Sequence, residues 1–329
     1  MSENFEDFPT LDETKVAIER LKKVDWPRIS DYKNADDFLK EVEGIFFQEF
    51  KILPNIFKLF KPEEFKLPIF RVREVNSFTN ISQFSEHSYP PINLTGFNRC
   101  NFPKSPVFYC SDNPMTALME VVRNTDYKQR KFCISKWELI NSDEQFAFQT
   151  FLQTELHRDN YYGVLKNAEI DQLDEPFENK LDRERKAGLL EYLKFLHSVF
   201  ISDESYALSA SIAHRTLNAK HNLATDILMY PSIQTQYKGV NMAINPNFVD
   251  NMMRVQRFYI VELENYNIEN GKFNVSISKY GDIKKNIIFW KNLNPEDRIY
   301  KNYMLTDFRS LLDDNFKWEF NKVKDKIPR

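Results

Sequence analysis

The chain has 329 residues, 45 basic and 48 acidic side chains for a formal charge of −3, and 42% hydrophobic and 15% aromatic residues. That is enough apolar matter for a sizeable core and too much for wholesale disorder. The near-balanced charge gives no general attraction to nucleic acid or to anionic membranes, so no direct nucleic-acid binding is expected.

Three cysteines, Cys100, Cys110 and Cys133, show no short spacing. This argues against a disulfide framework and against a zinc knot, and for thiols in a reducing compartment. The first residues, MSENFEDFPT, are acidic and lack the apolar stretch of a secretory signal. No apolar run approaches the roughly 18 residues of a membrane helix. The expectation is a cytoplasmic protein with no membrane association. Seven glycines form no GxGxxG, GxxxxGK[ST] or GxSxG pattern, so a bound nucleotide would have to be held by arginines.

In chain order, residues 12–65 read as helices. ADDFLKEVEGIFFQEF repeats Phe38, Val42, Ile45, Phe46 and Phe50 near helical spacing, a face that packs as core or serves as a regulatory or oligomer surface. The pattern changes at LPIFRVREV, a strand that puts Arg71 and Arg73 on one side of an extended chain. A proline-rich loop with Arg99 and Asn101 follows, then the short strand PVFYCS with Tyr109. SDNPMTALMEVVRN starts with capping residues and Pro114 at the first helical position. KFCISKWEL (131–139) reads as a strand, residues 144–221 as predominantly helical, and DILMYPS, GVNMAINP and VQRFYIVEL as returning strands. KFNVSISKYGDIKKNIIFW suggests a hairpin, and DFRSLLDDNFKWEFNKVKDK a final helix. Strands before and after a helical block indicate an α+β fold.

Pattern alone leaves the chemistry open. Glu120 points away from the stripe of Met115, Leu118, Met119 and Val122, either into solvent beside Arg123 and Asn124 or into a cleft. Arg71 and Arg73 read as a wet edge strand or as a guanidinium aimed at an anion. Ser232 reads as a turn hydroxyl or as a binding group. His87, His157, His197, His214 and His221 are scattered and form no metal-binding pattern.

Taken in order, IFRVR, GFNRCNFPKSPVFYCSDNPMTALMEVV and DILMYPSIQTQYKGVNMAINP, within about residues 67–250, resemble the RES domain family, named for its Arg, Glu and Ser. Many members of that family are toxins of bacterial toxin–antitoxin pairs. Its early arginine falls on Arg71, its loop on Arg99 and Asn101, and its strand tyrosine on Tyr109. Its Ala-Leu-x-Glu falls on Ala117 to Glu120, its Tyr-Pro-Ser on Tyr230 to Ser232, and its late asparagine on Asn241. The loop departs from the family with Phe97, Asn98 and Cys100 where glycines and Trp are usual.

The resemblance implies an ADP-ribosyltransferase-like mixed β core with a helical N-terminal region (1–65) and a RES-like domain (66–250) carrying a helical insertion at about 140–221. Residues 251–329 would complete the domain. It implies an NAD+-degrading enzyme, phosphorylase or glycohydrolase; the alternatives are a protein ADP-ribosyltransferase using the same residues, or a catalytically inactive binding module of the same fold. NAD+ would be substrate, with inorganic phosphate as a co-substrate of the phosphorylase and no resident cofactor or metal. Glu120, Arg71 and Ser232 would be catalytic, and Arg99, Asn101, Tyr109 and Asn241 would bind substrate. A cognate antitoxin and a homo-oligomer are the implied partners.

Overall fold

The computed structural model describes residues 8–50, 57–65, 68–123, 125–151, 181–202, 204–219, 224–236, 238–267, 272–293 and 298–308. The helices are α1 (Leu11–Leu21), α2 (Ala35–Glu49), α3 (Pro114–Val122), α4 (Arg183–Ser202), α5 (Ala207–Leu217), α6 (Pro246–Met252) and α7 (Arg298–Asp307). The strands are β1 (Lys58–Phe60), β2 (Ile69–Glu74), β3 (Phe108–Ser111), β4 (Lys131–Leu139), β5 (Phe146–Thr150), β6 (Ile227–Pro231), β7 (Val240–Ile244), β8 (Met253–Asn267), β9 (Lys272–Lys284) and β10 (Ile287–Asn292). Helices and sheets together make the expected α+β class. The chain divides into two units, each built from three separated segments. One comprises Met1–Phe60, Pro91–Val107 and Phe146–Pro231; the other comprises Lys61–Pro90, Phe108–Gln145 and Ser232–Arg329.

In the first unit, α2 starts where the Asn34 side chain accepts a hydrogen bond from the Asp37 amide at 2.8 Å. Phe38, Val42 and Phe46 make its buried face, and Phe50 closes its end. Phe46 and Phe50 meet the Tyr192 ring of α4, while Phe38 meets Phe97 and Phe102 edge-on. The apolar run is therefore core of its own unit. Gly188 lets α4 pass α1 closely, since a Cβ there would stand 2.3 Å from the Pro9 carbonyl oxygen. Strand β1 is antiparallel to β5, and β5 is parallel to β6. Strand β5 departs from the helical reading of residues 144–221: Phe146 and Phe148 anchor a short extended run there. The part of that reading covering residues 152–180 lies outside the described residues, as does the helix expected beyond residue 308.

In the second unit the strands run β7-β3-β2-β4-β8-β9-β10, antiparallel throughout. Alternation gives the sheet two distinct faces. Phe70, Val72, Ile134, Tyr259 and Val261 bury one face against Met115, Leu118, Met119 and Val122 of α3 and against Phe308. On the other face, Cys133, Phe258, Ile260 and Ile288 pack with Phe78, Ile81 and Phe84. The end of α7 is tied down by a buried charge cluster. Asp307 accepts from Lys136 Nζ at 2.6 Å and from the Tyr259 hydroxyl at 2.5 Å, and Arg257 Nε lies 3.4 Å from it.

The second face also buries His87. Its Nε2 lies 2.8 Å from the Ile81 carbonyl oxygen, which can only accept, so Nε2 carries the proton. Nδ1 then accepts from the Cys133 thiol at 3.6 Å. Burial raises the Cys133 pKa, which keeps the proton on sulfur. Burial also holds His87 down at about 4, against 6.5 in an unfolded chain. Because the folded pKa is depressed, the unfolded chain binds the proton first as pH falls. The contribution is complete above about pH 6.5 and is lost progressively toward pH 4, amounting to about 3 kcal/mol. We expect His87→Gln to flatten this part of the stability profile. Denaturant unfolding at pH 7 and pH 4.5 checks it, and an unchanged slope would place the acid sensitivity elsewhere.

Candidate active site

Helix α3 brings Glu120 to its place. Asn113 caps it, its side-chain oxygen accepting from the Thr116 amide at 2.8 Å, and Pro114 stands in the first turn. Every residue from Pro114 to Met119 is buried, so the helix cannot rotate without exposing core, and Glu120 is held at the edge of that packing. Solvent does not claim it. Glu120 Oε1 accepts from the Ser232 hydroxyl at 2.7 Å and from Asn241 Nδ2 at 2.7 Å. Arg123, the neighbour that would have paired with a solvated glutamate, instead donates through Nε to the Glu120 backbone carbonyl. Among the described residues no cation pairs with this carboxylate, and Oε2 has no hydrogen-bond partner.

Both donors are supplied by tightly held backbone. Ser232, fully buried, opens a turn closed by its own N–H to the Gly239 carbonyl at 3.0 Å, and the Gly239 N–H donates to the Thr235 hydroxyl. Gly239 has no room for a side chain, because a Cβ would stand 2.1 Å from Thr116 Oγ1. Asn241 is the second residue of β7 and pairs across the sheet with Ser111 of β3. Ser111, which sequence reasoning did not single out, donates from Oγ to Asn241 Oδ1 at 2.7 Å. Its signal was available only through the strand register that sets it opposite Asn241.

Arg71 and Arg73 do share one side of β2, but it is the side opposite Phe70, Val72 and α3. Arg71 Nη1 donates to the Tyr109 carbonyl at 2.8 Å, and its guanidinium lies 5.1 Å over the Phe108 ring. Its Nε is shielded and has no partner among the described residues. Burial, reinforced by the nearby charge of Arg73, brings the Arg71 pKa down to about 10. Arg73 is not simply wet: it donates to the carbonyls of Glu86 and Ser77 and covers the Phe78 ring, clamping the loop after β2.

Glu120, Ser232 and Asn241 are thus brought into direct contact. Tyr109, two residues before Ser111, stands on the Asn241 side of β3 by alternation. Arg71 makes no hydrogen bond to Glu120, Ser232 or Asn241. Arg99 and Asn101 belong to the first unit. Arg99 donates to the Phe200 carbonyl and lies 5.0 Å over the Tyr206 ring, while Asn101 Nδ2 donates to the carbonyls of Gly96 and Phe102. Among the described residues no cluster of His, Cys, Asp or Glu could hold a metal ion, and no helix is long and apolar enough to cross a membrane.

A carboxylate with one oxygen fixed by two neutral donors and no counter-cation can stabilise positive charge developing beside its other oxygen. Comparison with known proteins gives one match to a family model, described as RES domain, over residues 68–264, more than half of the chain. No curated protein matches the sequence.

Proposed function

The chain belongs to the RES domain family, and from that premise we propose that it is an NAD+-degrading enzyme that breaks the bond between nicotinamide and ribose. The observation that carries this reading is the setting of Glu120: Oε1 is held by Ser232 and Asn241, and no cation among the described residues neutralises the carboxylate. When the bond breaks, its electron pair leaves with nicotinamide and the ribose carbon becomes oxocarbenium-like. A fixed negative charge beside the sugar lowers that barrier, because it needs no reorganisation as the charge appears. A nearby cation would cancel the effect. Tyr109 fits a stacking role against the nicotinamide ring. Arg71, by bonding the Tyr109 carbonyl, holds the strand that carries both Tyr109 and Ser111.

The cation is captured by phosphate or by water, which distinguishes a phosphorylase from a glycohydrolase. Unrestrained, such an enzyme drains the NAD+ pool and arrests growth, so we place it among toxins or effectors restrained by a cognate protein. The test is incubation of the purified protein with NAD+, with and without phosphate. Nicotinamide with ADP-ribose 1″-phosphate identifies a phosphorylase, and nicotinamide with ADP-ribose a glycohydrolase. ADP-ribose attached to protein would redirect the reading to a transferase, and intact NAD+ would overturn it.

A further inference from the structure

We propose that Ser111 is a positioning residue for the cleavage step, acting on Glu120 through Asn241; this rests on the reading of Glu120 given above. The chain of contacts runs from Ser111 Oγ to Asn241 Oδ1 at 2.7 Å, then from Asn241 Nδ2 to Glu120 Oε1 at 2.7 Å. Its polarity is fixed by chemistry. A carboxylate only accepts, so Asn241 must present Nδ2 to Glu120, and its carbonyl must face the other way. What meets that carbonyl is the Ser111 hydroxyl, 2% exposed, on the neighbouring strand. Asn241 itself is 6% exposed, so no bulk water stands ready to replace the lost donor.

The arrangement converts strand register into side-chain orientation. Ser111 and Asn241 are cross-strand partners of β3 and β7, so their separation is set by the sheet rather than by either rotamer. With the hydroxyl present, the carboxamide is bonded at both ends and its plane is fixed. Glu120 Oε1 is then held from two directions, by a turn through Ser232 and by a strand through Asn241. Without the hydroxyl, the carboxamide keeps one bond and can swing about it. The carboxylate loses one of its two fixed supports, and the charge no longer sits in one place when the ribose carbon needs it. The step affected is bond cleavage, not the capture of NAD+.

The test compares Ser111→Ala and Ser111→Cys with the unmodified full chain, using nicotinamide release per folded molecule. Cysteine keeps the volume but donates weakly, so it separates a lost hydrogen bond from a lost shape. We expect both variants to lower kcat about tenfold with KM within about twofold. In an Asn241→Ala background, Ser111→Ala should have no further effect on kcat, because the intermediary is gone. Full restoration of kcat in Ser111→Cys would overturn the proposal in favour of packing, as would losses that add in the Asn241→Ala background. A rise in KM with unchanged kcat would overturn it too. Glu120→Gln run alongside keeps the two readings apart. If that variant turns over normally, the assignment of Glu120 fails; if it is dead while Ser111→Ala is unimpaired, only the role of Ser111 fails.

Discussion

On the proposed function, Glu120→Gln should lower NAD+ cleavage by about 10²–10³-fold while the protein stays folded. The substitution is chosen for what it preserves. A glutamine in the same rotamer keeps an oxygen where Oε1 stands, so the Ser232 hydroxyl and Asn241 Nδ2 keep their acceptor. Only the negative charge is removed, and with it the electrostatic support proposed for the oxocarbenium-like state. Nicotinamide release in single turnover, together with the denaturation midpoint, checks both halves. Normal turnover would remove Glu120 from the chemistry, and a collapsed midpoint would show that the charge serves the fold.

The elements around this residue were legible in the sequence because their signals are local. Strand β4 spans the same Lys131–Leu139 that its apolar run marks, and α3 opens with Pro114 in its first turn as its capping residues indicate. The site was legible only through the resemblance. Its donors lie 112 and 121 residues beyond Glu120, so no periodicity connects them. Read by itself, the helical pattern turned Glu120 off the apolar stripe; what it could not supply was that buried Ser232 and Asn241 wait there for its carboxylate. Strand β5 was lost because a run of five residues, Phe146 to Thr150, buried in succession and without alternation, cannot outweigh the helical block that follows. The role of Arg73 stayed open because its acceptors are backbone carbonyls of Ser77 and Glu86, which carry no side-chain signature.

Asp307→Ala should be strongly destabilising, costing about 3–5 kcal/mol. Asp307 is fully enclosed, and Lys136 and Arg257 are each only 16% exposed. Among the described residues neither cation has another ion-pair partner, and Arg257 Nη1 is already buried without a hydrogen bond. Removing the carboxylate strands two charges in a low-dielectric setting and takes an acceptor from the Tyr259 hydroxyl. Denaturant unfolding of the variant reads the loss directly. The double change Lys136→Met with Asp307→Leu should recover part of it, since a charge-free pair of similar volume avoids the stranded cation. A variant as stable as the parent would mean that α7 is held by the Phe308 contact with Tyr259, and not by the ion cluster.

The threading of two units through six alternating segments sets a schedule for synthesis on the ribosome. Helix α2 is made early, yet its aromatic partners arrive later: Phe97 and Phe102 in the middle segment, Tyr192 in α4. At translation rates of about 5–20 residues per second, the wait for Tyr192 is on the order of 10 s. Until then Phe46 lacks the Tyr192 ring that meets it in the native unit, although the nascent chain already presents Phe38, Val42 and Phe46 as one helical stripe. Closure of this unit therefore waits on segments made much later, with non-local contacts deciding its rate. The waiting stripe is where a holding chaperone would engage the nascent chain, and where a stalled or truncated product would aggregate.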